Sequence, residues 1–77
     1  MKEIKAIQVK RAYDDIAQKG MNNSVCYGYA VEVARELGGV EIDNSNNKSI
    51  AKSFAPNITF EFDDSSTVEV TYGGVFL

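Results

Sequence analysis

The chain has 77 residues, of which 44% are hydrophobic and 25% are charged, with a formal net charge of −3. A chain of this length accommodates one domain, residues 1–77, and its composition is typical of a folded protein rather than a disordered one. It contains no histidine, which removes the usual general base, the Cys–His and Ser–His pairs and the commonest metal ligand. We therefore expect no enzymatic activity, no cofactor and no metal site.

The compartment is indicated by what the sequence lacks. No apolar run approaches the roughly 20 residues that span a bilayer, and the charges of residues 1–15 are too regular for a signal peptide. The single cysteine, Cys26, excludes an intrachain disulfide and is expected to be a small buried apolar residue. These features predict a cytoplasmic protein with no membrane partner.

The charges are distributed unevenly along the chain. Residues 1–52 hold all eight Lys and Arg residues against seven acidic residues, whereas residues 53–77 hold four acidic residues and no basic one. The C-terminal third is therefore predicted to be negative. A basic protein surface is a natural partner for it, and direct binding of nucleic acid is not expected.

Two helices are predicted in the first half of the chain. The first covers residues 2–19, most clearly from Val9 to Lys19, although residues 2–8 are also compatible with a short strand. The second, from Ser24 to Leu37, is the most apolar stretch and carries Val25, Tyr29, Val33 and Leu37 at helical spacing. Such a helix is expected to pack against partners on at least two sides.

The second half of the chain begins with short elements. Val40–Ile42 alternates as a short strand does, 43–47 is a polar loop, and 48–55 offers one apolar helical face. Asp43, Ser45 and Asn47 imitate the start of a calcium loop. The pattern then fails because Lys48 stands where glycine is required.

A β-hairpin is the clearest strand signal. Apolar and polar residues alternate over 58–63 and again over 67–72, with Asp63-Asp64-Ser65-Ser66 as the turn, and a last short strand over 75–77 follows Gly73-Gly74. An isolated hairpin is barely stable in water, so its apolar face must lie on the helices. We predict an α+β fold with two to three helices packed on one face of a small antiparallel sheet containing a 57–72 hairpin.

The polar face of this hairpin is the predicted partner-binding site. If Phe62 faces Val68, then Glu61 stands opposite Glu69, and like charges in that position destabilise a sheet. No lysine lies nearby in sequence to offset them. Such an uncompensated local cost is expected at a functional site, but outward acids also discourage edge-to-edge aggregation. The candidate residues are Glu61, Asp63, Asp64 and Glu69.

The stretch TFEFDDSSTVEV, residues 59–70, consists of a strand, an Asp-Asp turn and a second strand with outward acids. In a very short acidic chain, it resembles hairpins of the phage-encoded anti-CRISPR proteins. The resemblance implies an inhibitor that occupies a basic surface of a nucleic-acid-handling bacterial defence complex. The alternative is a small assembly subunit that forms a homodimer, or docks in a larger complex, through 75–77 and exposed apolar helix residues.

Overall fold

The computed structural model describes residues 4–42 and 57–77. Two helices pack on a four-stranded antiparallel sheet, which confirms the predicted α+β architecture. The sequence interpretations of 2–3, of the polar loop at 43–47 and of the helical piece at 48–55 lie outside the described residues. The elements, in chain order, are α1 (Lys5–Gln18), α2 (Asn23–Glu36), β1 (Val40–Ile42), β2 (Ile58–Glu61), β3 (Thr67–Thr71) and β4 (Gly74–Phe76).

Both helices end in the same way, at a glycine with positive φ. Gly20 (φ 90°) and Gly38 (φ 88°) adopt the left-handed conformation that L-residues avoid. In each case the next residue also turns back, so that the N–H of Met21 bonds to the carbonyl of Ile16 and that of Gly39 to the carbonyl of Ala34. This double closure is the Schellman motif, which satisfies carbonyls that a helix end would leave unpaired.

The helices begin differently. Helix α2 has a local cap, because the Asn22 side chain accepts a hydrogen bond from the backbone N–H of Val25 at 3.0 Å. Helix α1 starts after Ile4, which has no side chain able to cap it. The N–H groups of its first turn therefore depend on acceptors from a distant part of the chain. The structure also settles residues 5–8 as helix rather than strand.

The core is formed between the helices and one face of the sheet. Helix α1 contributes the buried residues Ala6, Val9 and Tyr13. The Tyr13 hydroxyl also donates a hydrogen bond to the backbone carbonyl of Tyr72 at 3.0 Å. The buried residues of the sheet side are apolar and β-branched or aromatic, as expected for a one-sided sheet. They are Phe60, Phe62, Val68, Val70 and Val75.

Helix α2 packs through its small residues. Its buried side chains are Cys26, Ala30, Val31 and Ala34, while Val33 and Leu37 are half-buried. The expectation that Val25 and Tyr29 share the buried stripe was wrong, since both are more than a third exposed. Small residues let α1 and the sheet approach α2 closely, and this turns the larger side chains outward. The predicted burial of Cys26 is confirmed.

The sheet is a simple meander in the order β1-β2-β3-β4, with every neighbouring pair antiparallel. The predicted hairpin is present as β2 and β3, and the predicted strands at 40–42 and near 75–77 are present as β1 and β4. Because side chains alternate along a strand, one face of this meander carries the core residues. The other face, called the open face below, is covered by neither α1 nor α2.

Gly39 marks the closest approach between α2 and the sheet. A Cβ at this position would lie 2.8 Å from the Phe62 ring and 2.9 Å from the carbonyl oxygen of Ala34. At Gly28, in the middle of α2, a Cβ would meet nothing within 4 Å. The two glycines therefore have opposite predicted responses to alanine.

We expect Gly39→Ala to lower the free energy of unfolding by about 1–3 kcal/mol, because backbone and ring must move to admit the methyl group. Gly28→Ala is the matched variant and should raise it by about 0.5–1 kcal/mol, because alanine is the better helix former. Urea unfolding followed by circular dichroism measures both. Equal changes in the free energy of unfolding for the two variants would show that Gly39 is not closely packed.

Candidate interaction face on the open side of the sheet

The open face of the sheet carries two of the four predicted site residues. Glu61 pairs with Thr67 on one side and Val40 on the other, while Glu69 pairs with Thr59 and Phe76. Residues that pair directly across strands point to the same face, and Phe60 and Val68 occupy the other one. Glu61 and Glu69 are therefore diagonal neighbours on the open face, with Cα atoms separated by roughly 7–8 Å.

The predicted register of the hairpin was wrong by two residues. Glu61 does not stand opposite Glu69, because the loop is shorter than the four-residue turn expected from the sequence. The N–H of Phe62 bonds to the carbonyl of Ser66, which leaves Asp63, Asp64 and Ser65 as a three-residue loop. A slip of two residues preserves the side-chain alternation, so both glutamates remain on the predicted face.

The two glutamates have different surroundings. Glu69 is half-buried and accepts a hydrogen bond from the Asn57 side-chain amide at 3.3 Å. Glu61 is exposed and has no ion pair within the described parts of the chain. Neither carboxylate is paired with a lysine or arginine of residues 4–42 or 57–77.

Apolar side chains lie on both sides of these glutamates. Val40 and Ile42 belong to the edge strand β1, and Phe76 belongs to the opposite edge strand β4. Their registers place them on the open face, where Val40 is 67% and Phe76 is 58% exposed. Within the described residues, the face thus combines acids that have no ion pair with exposed apolar groups. Thr59, Thr67 and Thr71 lie on the same face.

The other two predicted site residues lie in the hairpin loop, at the start of α1. Asp64 accepts a hydrogen bond from the backbone N–H of Lys5 at 2.9 Å, and the Ser66 hydroxyl lies 3.3 Å from the N–H of Ala6. The Lys5 ammonium lies 2.7 Å from the Asp63 carboxylate. The loop therefore caps the helix that has no cap of its own, and its negative charge favours the helix N-terminus.

This contact corrects the expectation that no cation offsets the acids of the C-terminal third. Lys5 is more than fifty residues away in sequence, so only the folded chain brings it to Asp63. The sequence indicates that α1 needs acceptors from elsewhere, because Ile4 stands at the N-cap position, where Ser, Thr, Asp or Asn is preferred. The Asp63 side chain is still 80% exposed, so the ion pair leaves most of it accessible.

Other kinds of site find no support in the described part of the chain. Residues 4–42 and 57–77 contain no group of three or more Cys, Asp or Glu side chains arranged to hold a metal ion. No helix there is long and apolar enough to cross a membrane. The calcium-loop imitation at 43–47 lies outside the described residues.

Comparison with protein families, with curated proteins and with solved structures gives no match for this chain.

Ser65 adopts φ 70°, a left-handed conformation that costs a non-glycine residue roughly 1–2 kcal/mol. Three-residue hairpin loops place a glycine at this position for that reason. We expect Ser65→Gly to raise the free energy of unfolding by about 0.5–1 kcal/mol, the relief being partly offset by the flexibility of glycine when unfolded. Ser65→Ala keeps the strain and should give no gain in thermal unfolding. A similar rise in the free energy of unfolding of both variants would show that backbone strain at Ser65 is not the cause.

Asp64 has a pKa of about 2, below its ordinary 3.8, first because the Ser66 hydroxyl donates to it and then because the Lys5 and Ser66 N–H groups do. A lowered pKa in the folded state means that the charged carboxylate stabilises the fold above about pH 4, and that this stabilisation is lost as the pH falls towards 2. We expect Asp64→Ala to lower the melting temperature at pH 7, with the deficit shrinking below pH 4.

Melting by circular dichroism between about pH 2 and pH 7 measures this difference. Asp63→Ala is the matched control: it removes a neighbouring carboxylate that pairs with the Lys5 side chain instead of capping the backbone. Its melting temperature should fall less. A deficit for Asp64→Ala that is constant across the pH range would exclude the charged cap as its cause.

Proposed function

We propose that this chain is a small binding protein that acts by occupancy: its acidic open face covers a basic surface on a partner protein. The observation that carries this proposal is the pair Glu61 and Glu69, on one sheet face and without a cationic partner in the described residues. Charge complementarity of this kind accelerates association and makes it sensitive to salt.

The apolar borders of the face favour a protein as the partner. Val40, Ile42 and Phe76 are exposed around the glutamates, and protein interfaces combine an apolar contact area with a polar surround. A negative surface repels nucleic acid directly. The partner is therefore expected to present lysines or arginines beside an apolar patch.

The four acidic residues have distinct proposed roles. Glu61 and Glu69 contact the partner's cations from the sheet. Asp63 adds its exposed carboxylate at the loop end of the same hairpin, next to Lys5. Asp64 acts indirectly, because its carboxylate is committed to the N-terminus of α1 and holds the loop in place.

A basic surface that normally holds nucleic acid fits these requirements, because the carboxylates then replace phosphates. The resemblance of the 59–70 hairpin to anti-CRISPR proteins supports a bacterial defence complex of the CRISPR–Cas type as the partner. The proposed mechanism is competition, in which the bound chain keeps target DNA from the basic surface. No chemical step is required.

The test uses purified CRISPR–Cas effector complexes loaded with guide RNA. We expect the chain to reduce their binding of target DNA in a mobility-shift assay, with an affinity that falls as salt rises. Glu61→Lys with Glu69→Lys should weaken binding to the complex by about tenfold or more, which corresponds to about 1.4 kcal/mol. Calorimetric titration measures this change.

Glu36→Lys is the matched control for Glu61→Lys. Both residues are exposed, both lack an ion pair in the described chain, and both substitutions change the net charge equally. Glu36 lies on α2, away from the sheet's open face, so its reversal should leave affinity nearly unchanged. Equal losses for the two variants would mean that net charge, rather than this face, determines binding.

A second candidate function is that of an assembly subunit. It is favoured by Phe76 in β4 and by Leu77 after it, which are both exposed. Strand β4 is an edge of the sheet formed by the described residues, and an edge strand can pair with a strand of another chain. Apolar docking of this kind depends little on salt and on the glutamates. Binding that survives the double charge reversal would favour assembly over the acidic interface.

A further inference from the structure

Strand β4 is an edge of the sheet that the described residues form, and the direction of its backbone groups follows from its pairing with β3. Thr71 and Gly74 pair across a loop of only two residues, and such a closing pair is hydrogen-bonded. Bonded and non-bonded pairs alternate along an antiparallel ladder. The N–H and C=O of Val75, the next residue, therefore point away from β3, where they can bond to a strand placed beside β4.

The sequence of β4 lacks the devices that protect an edge strand from pairing. Proteins commonly place charged side chains or proline on such edges, and residues 73–77 contain neither. At the other edge of the described sheet, the middle residue of β1 is Glu41, whose carboxylate lies 3.0 Å from the Arg35 guanidinium. That edge carries charged groups, so β4 is the edge better suited to pair with another strand.

We infer that β4 pairs with β4 of a second copy of this chain, antiparallel and centred on Val75, so that the two sheets become one continuous sheet. A twofold axis at Val75 sets the two Val75 residues opposite each other, and their outward N–H and C=O groups then bond reciprocally. Gly74 of each copy lies opposite Phe76 of the other. All of these positions belong to β4 itself, which covers Gly74–Phe76.

The side chains of β4 suit this register. Phe76 is 58% exposed on the open face, and two of its ring atoms lie 3.8 and 4.0 Å from the position that a Cβ on Gly74 would take. The ring therefore leans back along β4, towards the centre of the proposed pairing. In the dimer the two Phe76 residues are diagonal neighbours across the axis, with Cα atoms about 7–8 Å apart, a separation that aromatic side chains bridge. Gly74 carries no side chain, so the rings have room to meet.

This fit identifies a second copy as the occupant. The residues on the two sides of Val75 complement each other, since one carries a large exposed ring and the other no side chain, and a twofold interface requires such self-complementarity. The φ of 156° at Gly74 disfavours any L side chain there, so the gap opposite Phe76 is built into the backbone. The inference gives the second candidate function a defined partner, and it does not rest on the acidic interface.

Sedimentation equilibrium of the full chain from about 10 µM to about 1 mM tests the dimer, because so small a contact area gives weak association. The expected apparent mass rises from 8.5 kDa towards twice that value. Phe76→Asp should raise the dissociation constant about tenfold or more, because it removes the ring and sets two carboxylates diagonally across the axis. Val40→Asp is the matched control: it makes the same charge change at an exposed apolar residue of the other edge strand, on the same face, and should leave the dimer unchanged.

Amide hydrogen exchange followed by NMR tests the register in the unsubstituted chain. The Val75 N–H should exchange about twofold or more slowly at about 1 mM than at about 50 µM, whereas the Phe76 N–H, which points to β3, should not change. A chain that stays at 8.5 kDa to about 1 mM overturns the proposal. So does a dimer that Phe76→Asp leaves intact, or one in which exchange at Val75 is unaffected. These measurements contain no basic partner, so their failure is distinct from failure of the acidic interface.

Discussion

The contact between the hairpin loop and the start of α1 joins the first helix to the sheet. Helix α1 begins without a capping side chain, so its first N–H groups would be unsatisfied. Asp64, in the loop of the β2–β3 hairpin, and Ser66, directly after that loop, supply acceptors for the N–H groups of Lys5 and Ala6. This fixes the helix over the sheet at one end, while Tyr13 bonds to Tyr72 nearer the other. These two contacts fix the position of α1 on the sheet, with the core residues between them.

The same contact involves two of the four acidic residues of the C-terminal third. Asp64 caps the N-terminus of α1, and Asp63 forms an ion pair with the Lys5 side chain, so both carboxylates contribute to the fold. Three further bases of the described chain form pairs with Asp14, Asp15 and Glu41. The acids that remain without ion pairs there include Glu61 and Glu69, and both lie on the open face of the sheet. The negative surface is therefore smaller and more localised than the sequence suggests.

Two surfaces of the described residues differ in character. The open sheet face is acidic between apolar borders, whereas the outer face of α2, which carries Val25 and Tyr29, is apolar with a glycine near its centre. They lie on opposite sides, because α1 and α2 cover the same face of the sheet and the small residues of α2 face inward.

The sequence by itself determined α1 beyond residue 8, α2, the hairpin and the α+β arrangement, because these follow from local periodicity. It also determined that Glu61 and Glu69 share a face, since alternation along a strand survives a register shift of two residues. It did not determine that Glu61 faces Thr67, because that depends on the three-residue loop. Only the tertiary structure decided that Asp63 and Asp64 serve α1, and that Val25 and Tyr29 point outward. Those outcomes depend on contacts between residues far apart in sequence and on how closely small side chains let the helices approach.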